Sequence, residues 1–361
     1  MPPPASPPPG SPLGQFPTRE SWLAQPAGLG RLPELATLAL AAAGEDRKRI
    51  VLSVLTDLLR RSAGSDLFLE ELVAGQGGGE GSTVAAAVAI RTAADSASLV
   101  ALGTQPGLAA EDESAALRQL LGELHRRLAE AGVTFVQAMR EPEGEQRALG
   151  EQRALGAGGY ECLATLDYLV ASARLTASAS AAPVGEPLGA IPFEQFFASA
   201  AAREGLAALV EATYVGSLDC PQMERFRSAA AMLDTYRSSP EHDPADWLVL
   251  VDARDCPLGC LIATPHVAAG TLEITYMGLV PEARGLGHAA SILERAWDAA
   301  ERHGVPQLTL AVDRANRPAV KLYQRHGFER LMSETVWGRE LNLESESAAG
   351  GKRATRGDVK V

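Results

Sequence analysis

The sequence predicts an α/β protein made of two tandem units, and three observations carry the prediction. One order of strand-like and helix-like patterns runs through the chain twice. A stretch that loses large apolar residues separates the two runs. The chain has 361 residues and 46% hydrophobic content, enough to fill two cores of about 150 residues each and too much for one ordinary domain.

In chain order, "MPPPASPPPGSPLGQFP" lacks a periodic apolar face and predicts a disordered or polyproline-like arm over residues 1–15. In the first half, "ASLVALGT", "SAALRQLLGELHRRLAEAG", "VTFVQAM" and "CLATLDYLV" read as strand, helix, strand and strand, with a helical or looped stretch around "EGEQRALGEQRALGAGGY" before the last. The hexapeptide EQRALG at Glu145 and Glu151 is a small tandem duplication that lengthens a surface helix or loop. "SARLTASASAAPVGEPLG", Ser172 to Gly189, gains Ser, Pro and Gly and is the best linker. In the second half, "TLEITYMGLV" is a strand. "HAASILERAWDAAERHG" is a helix with Ile292, Leu293, Ala296, Trp297 and Ala300 on one face, "QLTLAV" a strand, "RPAVKLYQRHGF" a helix and "ETVWGREL" the closing strand. "LAEAGV" answers "AERHGV", and "GGYECLATLDYLV" answers "HGFERLMSETVWG", so the halves read as a duplication. The expected boundaries are 16–175 for the first domain, 176–190 for the linker, 191–341 for the second domain and 342–361 for a flexible tail.

Composition narrows the function. A formal net charge of −12 and a pI near 5.1 argue against sequence-independent nucleic-acid binding, so an anionic ligand must be met locally. Abundant alanine, with lysine only at Lys48, Lys321, Lys352 and Lys360, suggests a bacterial GC-rich gene. Cys162, Cys220, Cys256 and Cys260 are too scattered for a disulfide framework, and "CPLGC" finds no second Cys/His pair to complete a metal site. No secretory signal opens the chain, and no apolar run approaches the about 20 residues of a membrane span. These features predict a soluble cytoplasmic protein without a metal.

The chemistry centres on "VPEARGLGHAAS", Val280 to Ser291, where a strand gives way to a helix. Unpaired N–H groups and the dipole at a helix N-terminus favour an anion. Gly285 and Gly287 let backbone approach phosphate oxygens, Arg284 adds a charge-assisted contact, and Ala289 keeps the first turn slim. Taken alone, an ordinary glycine turn explains the stretch equally well. GxGxxG and the Gly-Lys-Ser/Thr ending of a Walker loop are both absent. The matching position of the first half, "QPGLAAEDESAA", lacks the arginine and paired glycines and adds Glu111, Asp112 and Glu113, which repel phosphate. That half reads as a degenerate copy retained for packing, substrate shaping or dimerisation.

Arg284-Gly285-Leu286-Gly287-His288-Ala289 resembles the R/Q-x-x-G-x-G/A motif of the GNAT superfamily of N-acetyltransferases. Downstream, "NRPAVKLYQRHGF" is similar to its N-x-x-A-x-x-x-Y-x-x-x-G-F signature through Asn316, Ala319, Tyr323, Gly327 and Phe328. The resemblance is clear over Leu272 to Leu341 and architectural over the first half, and it extends to tandem members with one degenerate half. It implies two GNAT-like domains, each a mixed, mostly antiparallel sheet flanked by helices, with acetyl-CoA as co-substrate. The acetyl group would pass directly to a small-molecule or peptide amine, without an acyl-enzyme.

The resemblance also implies roles for residues. Leu279, Val280, Arg284, Gly285, Leu286, Gly287, His288, Ala289, Asn316 and Tyr323 are the expected cofactor-binding set. An alkylamine with a pKa near 10 must lose a proton before attack, and Glu273 is the candidate base through water, against a plain solvent-facing strand glutamate. Strand alternation would put Glu273, Thr275, Met277 and Leu279 on one face. Tyr323 would protonate the departing thiolate, against a core-packing tyrosine. The N–H near Leu279 and Val280 would steady the oxyanion, and Asn316 would cap its helix. Tyr214 and Asp219, in a Gly- and Pro-marked loop, are candidates for the acceptor, which stays open among metabolite amines, antibiotics, thiol precursors and protein N-termini. The rival class is a non-catalytic acyl-CoA-binding or scaffold protein.

Overall fold

A computed structural model describes residues 19, 22–62, 66–74, 82–141, 148–174, 188–196, 202–223, 226 and 228–342. The predicted arm and most of the predicted linker and tail lie outside them. The chain divides into two compact units: residues 1–138, 144–160 and 339–361 form one, and residues 139–143 and 161–338 the other.

The first unit contains β1 (Trp22–Pro26), α1 (Leu32–Ala39), α2 (Glu45–Ser62), β2 (Leu67–Ala74), β3 (Ser82–Ala93), β4 (Ser96–Thr104), α3 (Ala110–Glu130), the start of β5 (Phe135–Arg140) and α4 (Ala148–Ala157). Its strands run in the order β1-β2-β3-β4-β5. All pair antiparallel except β4 and β5, whose short parallel ladder joins Ser96–Ser98 to Phe135–Gln137. Leu35, Ala36 and Leu55 from the first two helices, with Leu40 at the C-terminal cap of α1, pack on Leu69, Val88, Ile90 and Ala101 of the sheet. A Cβ on Gly103 would lie 2.6 Å from the Ala39 carbonyl oxygen, so the end of α1 touches β4 backbone directly. In α3 the apolar stripe Leu117, Leu120, Leu121, Leu124 and Leu128 is buried, while its first turn holds Glu111, Asp112 and Glu113. Arg19 donates to Asp112, so the position that answers the phosphate turn carries an ion pair. The second EQRALG copy lies within α4 and buries Gln152, Ala154 and Leu155, so it builds a packed helix where the sequence suggested a surface one.

The second unit contains β6 (Glu161–Ala171), β7 (Gly189–Pro192), α5 (Phe193–Phe196), α6 (Ala202–Tyr214), α7 (Ala229–Arg237), β8 (Trp247–Val251), β9 (Pro257–His266), β10 (Thr271–Leu279), α8 (His288–His303), β11 (Gln307–Asp313), α9 (Arg317–Arg325) and most of β12 (Glu329–Glu340). The strand order is β7-β8-β9-β10-β11-β6-β12, antiparallel except for β10 and β11. Each unit is thus a mixed, mostly antiparallel sheet with helices, and the run of three strands, helix, strand and helix, β2 to α4 in one and β8 to α9 in the other, occurs in both. Position β6 is the departure from the sequence boundaries: drawn with the first domain, it pairs with both β11 and β12.

Two cores flank this sheet. On one face Leu261, Ala263, Leu272 and Ile274 meet Ile292, Leu293, Ala296, Trp297 and Ala300 of α8 and Tyr323 of α9. On the other, Val249, Cys260, Ile262 and Tyr276 meet Leu206 and Val210 of α6 and Leu233 of α7. Glycines with positive φ bound α8, Gly287 at 86° and Gly304 at 67°, a conformation that costs a residue with a Cβ dearly. The four cysteines are free thiols, and burial pushes Cys260 up to about 12. Among the described residues, no helix is long and apolar enough to cross a membrane.

Candidate active site

The ladder between β10 and β11 stops early. Thr271 to Ile274 pair with Gln307 to Leu310, and beyond Ile274 the two strands have no further pairing. The register of β10 on β9 also shifts between Ile274 and Tyr276, leaving Thr275 as a bulged residue. A bulge adds one residue and a local bend, so the strand turns away from its parallel neighbour. A cleft of about 460 Å³ lies there, lined by Met277, Gly278, Leu279 and Val312 from the strands and by Ala319, Leu322 and Tyr323 from α9.

The bulge corrects the expected alternation. Met277 and Leu279 pack with Leu272 and Ile274 towards α8 and α9, whereas Tyr276 packs towards α6 and α7. Glu273 pairs with Thr264 and lies in phase with Tyr276, so it does not share the face of Met277 and Leu279. The extra residue inverts the phase, which sequence periodicity cannot detect.

At the mouth of the cleft stand the two glycines, with φ of 75° at Gly285 and 86° at Gly287. Gly287 caps α8 without a side-chain hydrogen bond, which leaves its first-turn N–H groups facing the turn. His288 and Ala289 line the same mouth. Arg284 lines it too, but its Nε donates to the Leu279 carbonyl at 3.0 Å and its Nη2 to the Thr213 carbonyl at 2.8 Å. Its described contacts therefore staple the turn to β10 and to the end of α6. The Val280 N–H is spent on the Leu258 carbonyl at 2.9 Å, so by alternation the amide turned to the cleft is that of Leu279. Val280, Leu286 and Glu273 are not among the cleft-lining residues.

Asn316 caps α9, its Oδ1 accepting from the Ala319 N–H at 3.3 Å. Tyr323 is buried against Phe328, with ring centroids 5.5 Å apart. Burial, and then the negative charge of Asp219, raise its pKa above the usual phenol value, so it holds its proton at neutral pH.

Tyr214 and Asp219 both line the cleft, with their polar atoms engaged. The Tyr214 hydroxyl donates to the Met232 sulfur at 3.3 Å. Although Asp219 is exposed by surface area, its Oδ1 accepts from the Asp313 N–H at 2.8 Å, and Asp313 Oδ2 accepts from the Cys220 N–H at 3.3 Å. This reciprocal brace fixes the loop after α6 to the end of β11, with Cys220 at a positive φ of 47°. Burial and the two aspartates push the Cys220 thiol up, which makes it a poor nucleophile.

Sequence reasoning missed what surrounds Glu273. His266 Nε2 lies 2.9 Å from Glu273 Oε2, and the other ring nitrogen pairs with Glu241. Partial burial works to lower the His266 pKa, but the hydrogen bonds its ring donates to Glu273 and Glu241 outweigh it and raise the value. His266 and Glu273 meet across the β9–β10 hairpin, whereas Glu241 comes from the turn after α7, 25 residues before His266. One other cluster, Asp243, Asp246 and His303, could group around a cation. There Arg302 donates to Asp246 at 2.6 Å and His303 bonds it at 2.7 Å, so the buried carboxylate is already paired.

Comparison with known proteins agrees with this geometry. Residues 211–328 match the model of the acetyltransferase (GNAT) family. A mycothiol acetyltransferase of Saccharopolyspora erythraea is 33% identical over 97 residues, covering 27% of this chain and 32% of that protein. Its counterpart in Paenarthrobacter aurescens is 31% identical over 114 residues, covering 30% and 35%. The chain thus spans about a third of the length of these relatives. The crystal structure of a GCN5-related N-acetyltransferase from Sphaerobacter thermophilus aligns over 89% of this chain and 96% of its own, with a TM-score of 0.56 and 18% identity, a likeness of fold. The stretch that matches the acetyltransferase (GNAT) family model, residues 211–328, is thus the stretch that holds the bulged and splayed strand pair and the two-glycine turn opening a helix.

Proposed function

We propose that the second unit binds acetyl-CoA in the cleft and transfers its acetyl group directly to an amine. The observation that carries this reading is the opening between β10 and β11 immediately beyond Ile274, with the Gly285–Gly287 turn at its mouth and Tyr323 in its wall. An extended pantetheine arm can lie along the free edge of β10 as an added strand, against Met277, Leu279, Val312 and Leu322. The pyrophosphate would meet the N–H groups at the start of α8.

In this reading the amine nitrogen attacks the thioester carbonyl carbon, the Leu279 N–H steadies the oxygen, and the C–S bond breaks as Tyr323 gives its proton to sulfur. The nitrogen loses a proton to Glu273 through water, since Glu273 is not in the cleft wall. Its Oε2 is held by His266, which leaves Oε1 to accept. The first unit, with Arg19 and three acids at the answering helix start, is read as a non-binding partner.

The test is calorimetric titration of the full chain with acetyl-CoA, followed by assay of free CoA released with a panel of primary amines. One site with a Kd on the order of 1–100 μM and amine-dependent release is expected. Absence of binding removes the reading, and binding without release for any amine leaves an acyl-CoA-binding scaffold.

A further inference from the structure

Arginines of the second unit are mostly spent on neighbours. Arg174 bonds Glu294, Asp298 and Glu301, Arg302 bonds Asp246, and Arg314 bonds Asp167. Helix α9, "RPAVKLYQR", differs: it holds Arg317, Lys321 and Arg325 and no acidic residue. All three are exposed, and none of their side chains has a hydrogen bond or ion pair among the described residues. Like charges four residues apart on a helix repel by a few tenths of a kcal/mol, a cost that an anion bound between them reverses. The chain as a whole carries −12, so these cations make a local attraction against a repulsive background.

Their positions are unequal. Arg325 lines the cleft together with Pro318, Ala319 and Leu322. At about 100° per residue, Lys321 lies about 40° from Arg325 around the helix and Arg317 about 80° from it, on the side away from the cleft. Arg325 therefore stands in the lining of the same cleft as the Gly285–Gly287 turn, and Lys321 is its neighbour one helical turn back, just outside that lining.

We propose that Lys321 and Arg325 form a second anion subsite that takes a phosphomonoester, the 3′-phosphate of the CoA nucleotide. The inference rests on the acetyl-CoA reading and adds a specificity element on α9 to it. A phosphomonoester carries close to two negative charges at neutral pH and three acceptor oxygens, enough for both side chains at once.

Calorimetry of the full chain with CoA and with 3′-dephospho-CoA tests it. The wild type is expected to bind CoA about tenfold more tightly, the scale of two exposed charge contacts, and the ratio is expected to shrink as salt rises. In the double variant Lys321→Gln, Arg325→Gln the ratio should fall to near one through weaker CoA binding alone. Arg317→Gln should leave the ratio intact. Equal affinities in the wild type, or a ratio that survives the double variant or is lost in Arg317→Gln, overturn the subsite while the CoA reading stands. Binding of neither nucleotide overturns both.

Discussion

The ring of Tyr323 stacks obliquely on Phe328 at 5.5 Å, and the same residue lines the cleft; its hydroxyl makes no hydrogen bond to any described residue. A tyrosine that only filled core space would be served by phenylalanine, because the ring supplies the packing. Tyr323→Phe is therefore expected to lower kcat by roughly 10² to 10⁴ while leaving the acetyl-CoA Kd nearly unchanged, a split read from turnover and calorimetry together. Near-normal turnover would assign Tyr323 to packing. Motif spacing made Tyr323, Asn316 and the paired glycines legible in the sequence, because each acts through its own local backbone or helix turn. The Asp219–Asp313 brace and the Glu241–His266–Glu273 chain were not legible, because Asp219 and Glu241 come from loops that only the tertiary fold brings to the strands holding their partners. Arg284 was found for its charge, yet its described hydrogen bonds go to the carbonyls of Leu279 and Thr213, a packing outcome that a motif does not specify.

Among the elements, β10 gives both the success and the failure of pattern reading. Its apolar run and the stripe of α8 specify a strand and a helix by period, and both form where expected. The bulge at Thr275 leaves no mark on a residue pattern, because one inserted residue preserves apolar content and changes only phase. Beside the bulged strand lies a backbone contact as tight as the one between Gly103 and α1. A Cβ on Gly259 of β9 would lie 2.4 Å from the Gly278 carbonyl oxygen, and one on Gly278 would lie 2.6 Å from Thr213 Oγ1. The path of β10 thus depends on glycine at both positions. Gly259→Ala is expected to cost about 1–3 kcal/mol in chemical denaturation, because the obstructing atom is backbone and cannot swing aside. Weaker acetyl-CoA binding should accompany it as β10 shifts. A variant as stable as the wild type would show that β9 and β10 can separate freely, against close packing of the two strands at Gly259.

For the molecule as a whole, the consequential strand is β6. "CLATLDYLV" reads as a strand whichever sheet it joins, so its sequence cannot report that it lies between β11 and β12, and position in the chain suggests the first domain instead. The structure ties it to the second unit through two full ladders and through Asp167. Burial opposes ionisation of Asp167, but hydrogen bonds from Arg314 and Ser333 outweigh it and hold the carboxyl below its usual range. Arg314 follows β11 directly and Asn316 caps the next helix, so the strand also braces the segment that leads into the cleft wall. A fragment cut at the sequence boundary, residues 191–341, would lose β6, leave the facing edges of β11 and β12 unpaired and leave Arg314 without its carboxylate. A fragment of residues 161–342 keeps all three. The longer fragment is expected to melt cooperatively and to bind acetyl-CoA within about threefold of the full chain, a difference under about 1 kcal/mol. The shorter one is expected to show neither property, because exposing two strand edges and a core of Leu169 and Ala171 leaves the sheet open beside the cleft. Equal binding by both fragments would mean that β6 is dispensable and that the boundary drawn from composition is the functional one.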